Sequence, residues 1–388
     1  MFTYSIPTKV YFGKGQLENL GSVVSSYGKN VLMVYGGGSI KKTGVYDTVC
    51  GQLSKYGINI FELSGIEPNP KVDSVRKGIS ICKDKNINAI LAVGGGSAMD
   101  ASKFIAAGAG VNFDVWDFIS KKKPVDKVLP LICVLTISAT GSEMDNTAVL
   151  NNPETQEKLA LVDDKLFPSV SFCDPTLTYS VSPYQTACGS ADILSHLCEV
   201  YFNTNQNLYM LDTQMEGMMK TVLKYAPIAM AEPDNYEARA NLMWTSSWAI
   251  NGYIYGCKKS PWSCHPMEHQ LSAVYDITHG LGLAILTPHW MEYVLDDTTV
   301  EKFYSFAVNV CGIAPNDDDK LSTAKKGIDY LRDFFFSKLG LKSSLKSIGL
   351  DSSNFESMAS KACGAQGFIN GWKKLYPADV LKIYNAAL

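Results

Sequence analysis

Residues 89–109 read AILAVGGGSAMDASKFIAAGA. An apolar run of strand length, AILAVGGG (89–96), ends in three glycines, and a helical pattern, SAMDASKFIAAGA (97–109), starts at once. The run has no polar face, which is the pattern of a strand covered on both sides. Glycines at the carboxyl end of such a strand let the backbone approach a ligand. The free N–H groups that open the following helix suit a pyrophosphate. The same device occurs upstream in VLMVYGGG (31–38), followed by SIKK (39–42). Neither loop fits G-x-G-x-x-G, because the third glycine is missing in both. The candidate phosphate contacts are Gly37, Gly38 and Ser39 in the first loop and Gly95, Gly96 and Ser97 in the second.

Working outward, INIFEL (58–63) and LPLICVLT (129–136) are further short apolar runs. Helical patterns lie between the runs, at TGVYDTVCGQLSKYG (43–57) and KVDSVRKGISICKDKN (71–86). Strand alternating with helix predicts an α/β fold with a parallel sheet and helices on both faces. Beyond about residue 176 the β-branched runs stop. Long segments such as SPYQTACGSADILSHLCEVYFN have helical spacing and are punctuated by Pro and Gly. The expected organisation is a dinucleotide-binding α/β domain over 1–176 and an all-helical domain over 177–388. The junction falls near CDPTLTYSVSP with no flexible linker, so a ligand cleft between the halves is expected.

Composition narrows the function classes. The chain has 388 residues, a formal charge of −3, and only three arginines, Arg76, Arg239 and Arg332. No basic stripe exists to read a nucleic acid backbone. The apolar runs at 128–137 and 281–288 fall far short of the roughly 20 residues of a membrane span. The first fifteen residues lack the pattern of a secretory signal. Ten cysteines are scattered with no CxxC among them, so free thiols in a reducing, cytoplasmic setting are expected. A homodimer is the general expectation for a soluble enzyme.

The first glycine loop bears on which dinucleotide would bind. An acid placed on the adenosine ribose favours NAD. Here Gly37, Gly38 and Ser39 are followed by Lys41 and Lys42, with no acid at the tip. A 2′-phosphate therefore fits better, which points to NADP. A third polar cluster, LTISATGSEMDN (135–146), supplies Thr136, Ser138, Thr140 and Ser142 after a predicted strand.

Histidine is scarce and concentrated. Of five, four are His265, His269, His279 and His289, and the fifth is His196. Asp192 and His196 are four apart on a helical pattern, as are His265 and His269, so each pair shares a face. A carboxylate with two or three imidazoles is a common first shell for zinc or ferrous iron. Gly280 and Gly282 suggest a break in the helix near His279. Spacing leaves His265 and His269 equivalent as ligands. His289, between Pro288 and Trp290, reads as structural.

Taken together, FGKG (12–15), GGGS (36–39), EPNP (67–70), GGGSAMDASK (94–103), TISATGSE (136–143), CDP (173–175), DILSHLCEVY (192–201) and HPMEHQLSAVYDITHG (265–280) resemble the iron-containing, group III alcohol dehydrogenases. The likeness is greatest to the branch of NADP-linked butanol and aldehyde dehydrogenases. It covers nearly the whole chain. The resemblance implies a divalent metal, Fe2+ or Zn2+, on Asp192, His196, His265 and His279, with His269 beside the site and not a ligand. One turn from His265, His269 is a candidate proton relay to solvent or a structural support of the ligands. It also implies cofactor contacts at both GGGS loops and at Asn69, Asp100, Thr136, Thr140, Ser142 and Lys158. The implied reaction is hydride transfer between NADP(H) and a small primary alcohol or aldehyde, the metal acting as a Lewis acid. Tyr253, Tyr255, Trp262 and Phe167 are candidates to line an apolar substrate pocket. Two departures from many relatives, Ala139 and Ala191 where Gly is usual, remove no ligand. The competing reading is a metal lyase of the dehydroquinate synthase type. The scarcity of Arg in the second half weighs against it.

Overall fold

The computed structural model describes residues 3–203, 208–256 and 262–388. The strands of the first half are β1 (Lys9–Phe12), β2 (Asn30–Tyr35), β3 (Asn59–Leu63), β4 (Ala89–Gly94), β5 (Leu131–Leu135), β6 (Thr147–Asn152), β7 (Glu157–Val162) and β8 (Val170–Cys173). Six of them form one parallel sheet in the order β1-β8-β5-β4-β2-β3. β6 and β7 pair separately as an antiparallel hairpin. The helices around the sheet are α1 (Leu20–Ser25), α2 (Ser39–Lys42), α3 (Val45–Ser54), α4 (Val72–Asp84), α5 (Gly96–Gly108) and α6 (Asp117–Ser120).

Side chains alternate across the sheet and feed two cores. Leu32 and Val34 of β2, with Ile90 and Ala92 of β4, pack with Val75 of α4 and Phe104 of α5. Val31 and Met33, with Ala89, Leu91 and Val93, pack on the other face with Val24 of α1 and Val49 of α3. This is why β2, β4 and β5 carry uninterrupted apolar runs. From β2 the chain crosses to the edge strand β3, whereas from β4 it crosses the other way to β5. Ligands of open α/β sheets bind where adjacent connections leave in opposite directions. The two strands at that point, paired as Tyr35 with Val93, are those that end in the glycine loops.

The remaining helices are α7 (Pro183–Tyr201), α8 (Tyr209–Ala231), α9 (Tyr236–Trp248), α10 (Cys264–Tyr275), α11 (His279–Val294), α12 (Val300–Asn309), α13 (Lys320–Asp333), α14 (Phe355–Ala362) and α15 (Pro377–Ala386). α7 is buried from Thr186 to Tyr201, packed by α8 and α11. Two compact units result. One is Ser5–Val181 with Pro233–Asn251, and the other is Met1–Tyr4, Ser182–Glu232 and Gly252–Leu388. The sheet unit thus includes α9, which lies within the 177–388 segment expected to form the all-helical domain. Phe12 meets Trp244 edge-on at 5.1 Å, and Glu143 accepts a hydrogen bond from Ser247. Helical periodicity reveals an apolar face but not which core that face covers. No described helix is long and apolar enough to cross a membrane.

Candidate metal centre and cofactor loops

The metal candidates all lie in the helical unit. Ser182 caps α7 by accepting from Gln185 N, and Pro183 occupies its first turn. From that start, Asp192, His196 and Glu199 fall at i, i+4 and i+7, on one face. His265 stands in the first turn of α10 and His279 opens α11. Three imidazole Nε2 atoms converge on Asp192 Oδ1: His196 at 3.3 Å, His279 at 3.7 Å and His265 at 3.8 Å. Two ligands at metal bonds of about 2.1 Å in tetrahedral array would sit about 3.4 Å apart. Asp192 Oδ1 and His265 Nε2 are buried with no hydrogen-bond partner, an arrangement that is costly unless something binds there. Asp192, His265 and His279 each offer one ligand atom within 4.8 Å of the others. The donor set and its geometry therefore fit a divalent cation.

Electrostatics follow from burial and mutual charge. Burial alone would raise the Asp192 carboxyl, but His196, His265 and His279 hold it well below the usual carboxylate range. Burial drives His196 down to about 3 against the pull of Asp192. Burial also opposes charge on His265, but Glu199 and Asp192 outweigh it and raise that ring to about 9.

His269 is half-buried, with its ring centroid 6.1 Å from His265 and 5.7 Å from His279. It groups with Glu268 and His279 rather than with Asp192. His289 lies 3.7 Å from Glu292. Trp262 packs edge-on to His265 at 4.8 Å and His196 at 5.8 Å, with Tyr255 next to it at 6.1 Å.

The expected helix break exists, but its cause differs. α10 ends at Tyr275, capped by Asp276 in left-handed conformation (φ 51°), and α11 begins at His279. Gly280 and Gly282 are inside α11. A Cβ on Gly280 would lie 2.0 Å from the Cys188 carbonyl oxygen of α7, and one on Gly282 would lie 2.8 Å from Glu268 Cγ. These glycines serve close helix packing rather than a turn.

In the sheet unit, the two glycine loops differ. A Cβ at Gly37 or Gly38 would meet nothing within 4 Å, and Gly38 has φ 99°. In the second loop a Cβ on Gly95 would strike Ile137 at 2.3 Å, and one on Gly96 would strike Thr140 at 2.5 Å. Thr136 N bonds Gly94 O at 3.0 Å, so the Thr-rich loop lies directly against this turn, where Ser97 enters the first turn of α5. Thr140 Oγ1 accepts from Ser142 N at 3.2 Å. Ser142 Oγ donates to Asp100 (2.6 Å), whose other oxygen accepts from Val149 N (2.9 Å). Lys158 Nζ donates to Asn69 Oδ1 at 2.9 Å. They meet because Lys158 pairs with Asn151 across the hairpin, and Asn151 N bonds Pro70 O.

Two residues of the metal region had no place in the motif reading. Glu199 Oε1 lies 2.5 Å from His265 Nδ1, and Glu268 Oε2 bonds His279 Nδ1. The available signal was an acid inside apolar helix, in HLCEVY and HPMEHQL.

Known proteins resemble this chain along its whole length. The model of the iron-containing alcohol dehydrogenases matches residues 7–175, and that of the C-terminal part of the same family matches residues 186–388. The chain is 50% identical over 384 residues to NADH-dependent butanol dehydrogenase A of Clostridium acetobutylicum, covering 99% of this chain and 98% of that one. It is 35% identical over 364 residues to the NADPH-dependent aldehyde reductase YqhD of Escherichia coli, covering 93% and 92%. The crystal structure of NADH-dependent butanol dehydrogenase A from Thermotoga maritima superposes with a TM-score of 0.94 at 36% identity, covering 100% of this chain and 98% of that one. These relatives are oxidoreductases, which sets the lyase reading aside. With a buried donor set suited to a divalent cation and glycine loops at the switch point of a parallel sheet, the chain belongs to the iron-containing alcohol dehydrogenase family, as a metal-dependent alcohol/aldehyde oxidoreductase.

Proposed function

We propose that this protein interconverts small primary alcohols and aldehydes with a nicotinamide cofactor, on one divalent metal held by Asp192, His196, His265 and His279. The observation that carries the ligand set is the convergence of three Nε2 atoms on Asp192 Oδ1 at 3.3–3.8 Å. When bound, the metal would supply Lewis-acid polarisation of the substrate oxygen, and the nicotinamide would give the hydride to the aldehyde or take it from the alcohol. Trp262, packed on His196 and His265, gives the substrate carbon chain an apolar wall. His269, half-buried and close to both His265 and His279, passes the proton to or from the substrate oxygen. Three imidazoles and a carboxylate suit Fe2+ and Zn2+ alike, and the family description favours iron. We extend the proposal to a homodimer on general frequency alone, which sedimentation checks.

The cofactor reading broadens from NADP. No acid at the tip of the first loop repels a 2′-phosphate, which supports NADPH. Lys41 Nζ, however, is 3.9 Å from Glu62 and lies over the Tyr46 ring at 4.5 Å, so part of its charge is already balanced. An exposed lysine contact is worth about 1 kcal/mol or less, roughly a fivefold preference. We infer that both NADH and NADPH are used. Of the named relatives, two are described as NADH-dependent and one as NADPH-dependent.

The test is turnover of a series of aldehydes by the metal-reconstituted protein with each cofactor. Activity with both cofactors, within about tenfold in kcat/KM, is expected. Absence of turnover with every aldehyde would sink the proposal, and a larger preference would overturn the cofactor reading. His269→Ala is expected to lower the rate while retaining metal; a variant that loses metal instead would make His269 a ligand.

A further inference from the structure

We propose that Glu199 and Glu268 are positioning residues that hold His265 and His279 in the single tautomer able to bind metal. The proposal rests on the ligand set above. A carboxylate only accepts hydrogen bonds. Glu199 Oε1 lies 2.5 Å from His265 Nδ1, and Glu268 Oε2 bonds His279 Nδ1. In the neutral rings the proton therefore sits on Nδ1, and the Nε2 lone pair faces Asp192. The opposite tautomer would point N–H into the centre and leave a carboxylate facing a bare ring nitrogen.

The arrangement is built rather than incidental. Both glutamates are fully buried, which a carboxylate tolerates only when its oxygens are occupied. Glu199 Oε2 also accepts from Ser263 N and from Cys264 N (2.7 Å), and Oε1 accepts from His265 N (3.2 Å). Glu268 Oε1 accepts from Ser272 Oγ. The missing side chain at Gly282 leaves the space that Glu268 Cγ fills. The two contacts run in series: Glu199 of α7 orients a histidine of α10, and Glu268 of α10 orients a histidine of α11. His196 has no such support, since its Nδ1 is buried without a partner. It is held by stacking on His265 at 4.8 Å and by the edge of Trp262.

The experiment uses the full chain as wild type, Glu268→Gln, Glu268→Ala, Glu199→Gln and His279→Ala. Zn2+ affinity is measured by competition with a chelator. Imidazole tautomers of the metal-free protein are read from 15N shifts at a pH above the raised His265 value, where the rings are neutral, and its melting temperature is recorded. Losing such a partner costs about 10–100-fold in metal affinity. Glu268→Gln and Glu199→Gln are expected near the lower end, because an acceptor survives without its charge, and Glu268→Ala near the upper end. In Glu268→Ala the His279 signal should shift toward the Nε2–H form, while Glu268→Gln, which keeps the side-chain volume, leaves the metal-free melting temperature near wild type. Wild-type affinity and tautomers in all three glutamate variants would overturn the proposal. So would a second Zn2+ per chain that Glu268→Gln abolishes, since Glu268 would then be a ligand with His269 and His279. If His279→Ala keeps full affinity, the ligand set itself is wrong.

Discussion

Glu143 sits in the Thr-rich loop with 1% of its surface exposed. Its Oε1 accepts from Ser247 and its Oε2 has no partner. Burial pushes its carboxyl up from about 4.5 to about 7, with Ser247 and Lys103 pulling down and Asp145 adding to the rise. Because the folded value lies above the unfolded one, the folded state binds this proton more tightly. The group costs nothing below about pH 4.5, and its cost grows until the pH passes about 7. Glu143→Gln should therefore be more stable than wild type at pH 8, by up to about 3 kcal/mol, and equal near pH 4. Denaturant midpoints across that range check it, and identical pH profiles for the two proteins would refute it. This residue shows what a motif leaves unread. TGSE marks a loop but not a glutamate pinned to a helix 104 residues away. Likewise, four-residue spacing treats His265 and His269 alike. Only the path of the chain turns one toward Asp192 and the other toward Glu268. Glu199 was invisible for a similar reason, since its partner ring lies 66 residues on.

At the scale of the element, glycines separate into those the protein needs and those a ligand needs. Gly280→Ala would force α11 off the Cys188 carbonyl. The cost should reach the top of the ~1–3 kcal/mol range for overpacking, with metal affinity falling as well because His279 is the preceding residue. Gly37→Ala meets no atom within 4 Å. Its melting temperature should match wild type while the KM for the cofactor rises. Thermal scans and steady-state kinetics on both variants distinguish them, and a destabilised Gly37→Ala with unchanged KM would reverse the assignment. Strands β2, β4 and β5 were legible because burial on both faces leaves continuous apolar runs. β1 and β8 have four residues each, too few for periodicity to speak. The β6–β7 hairpin was hidden because EKLALV does not alternate: Lys158 is buried, while the apolar Ala160 and Val162 of the same face are exposed. The helix break before His279 was foreseen from glycines that turned out to serve packing.

For the whole molecule, the resemblance drawn from motif order agreed with the family models over both halves. Motifs could say this much because ligands and loops occur in fixed sequence along the chain. They could not assign α9 to a unit, since that depends on which core its face completes. Metal that binds only the folded state stabilises by mass action. Chelation should lower the melting temperature of the helical unit and abolish turnover, and Fe2+ or Zn2+ should restore both. Unchanged melting after verified metal loss would contradict a centre built from three helices.

Glu199 is shared between an imidazole and the first backbone N–H groups of α10. Any change in how tightly His265 is held is therefore felt by the peptide amides of Ser263 and Cys264. Their deuterium uptake becomes a gauge of metal occupancy, readable by mass spectrometry without substrate, cofactor or a spectroscopically active ion.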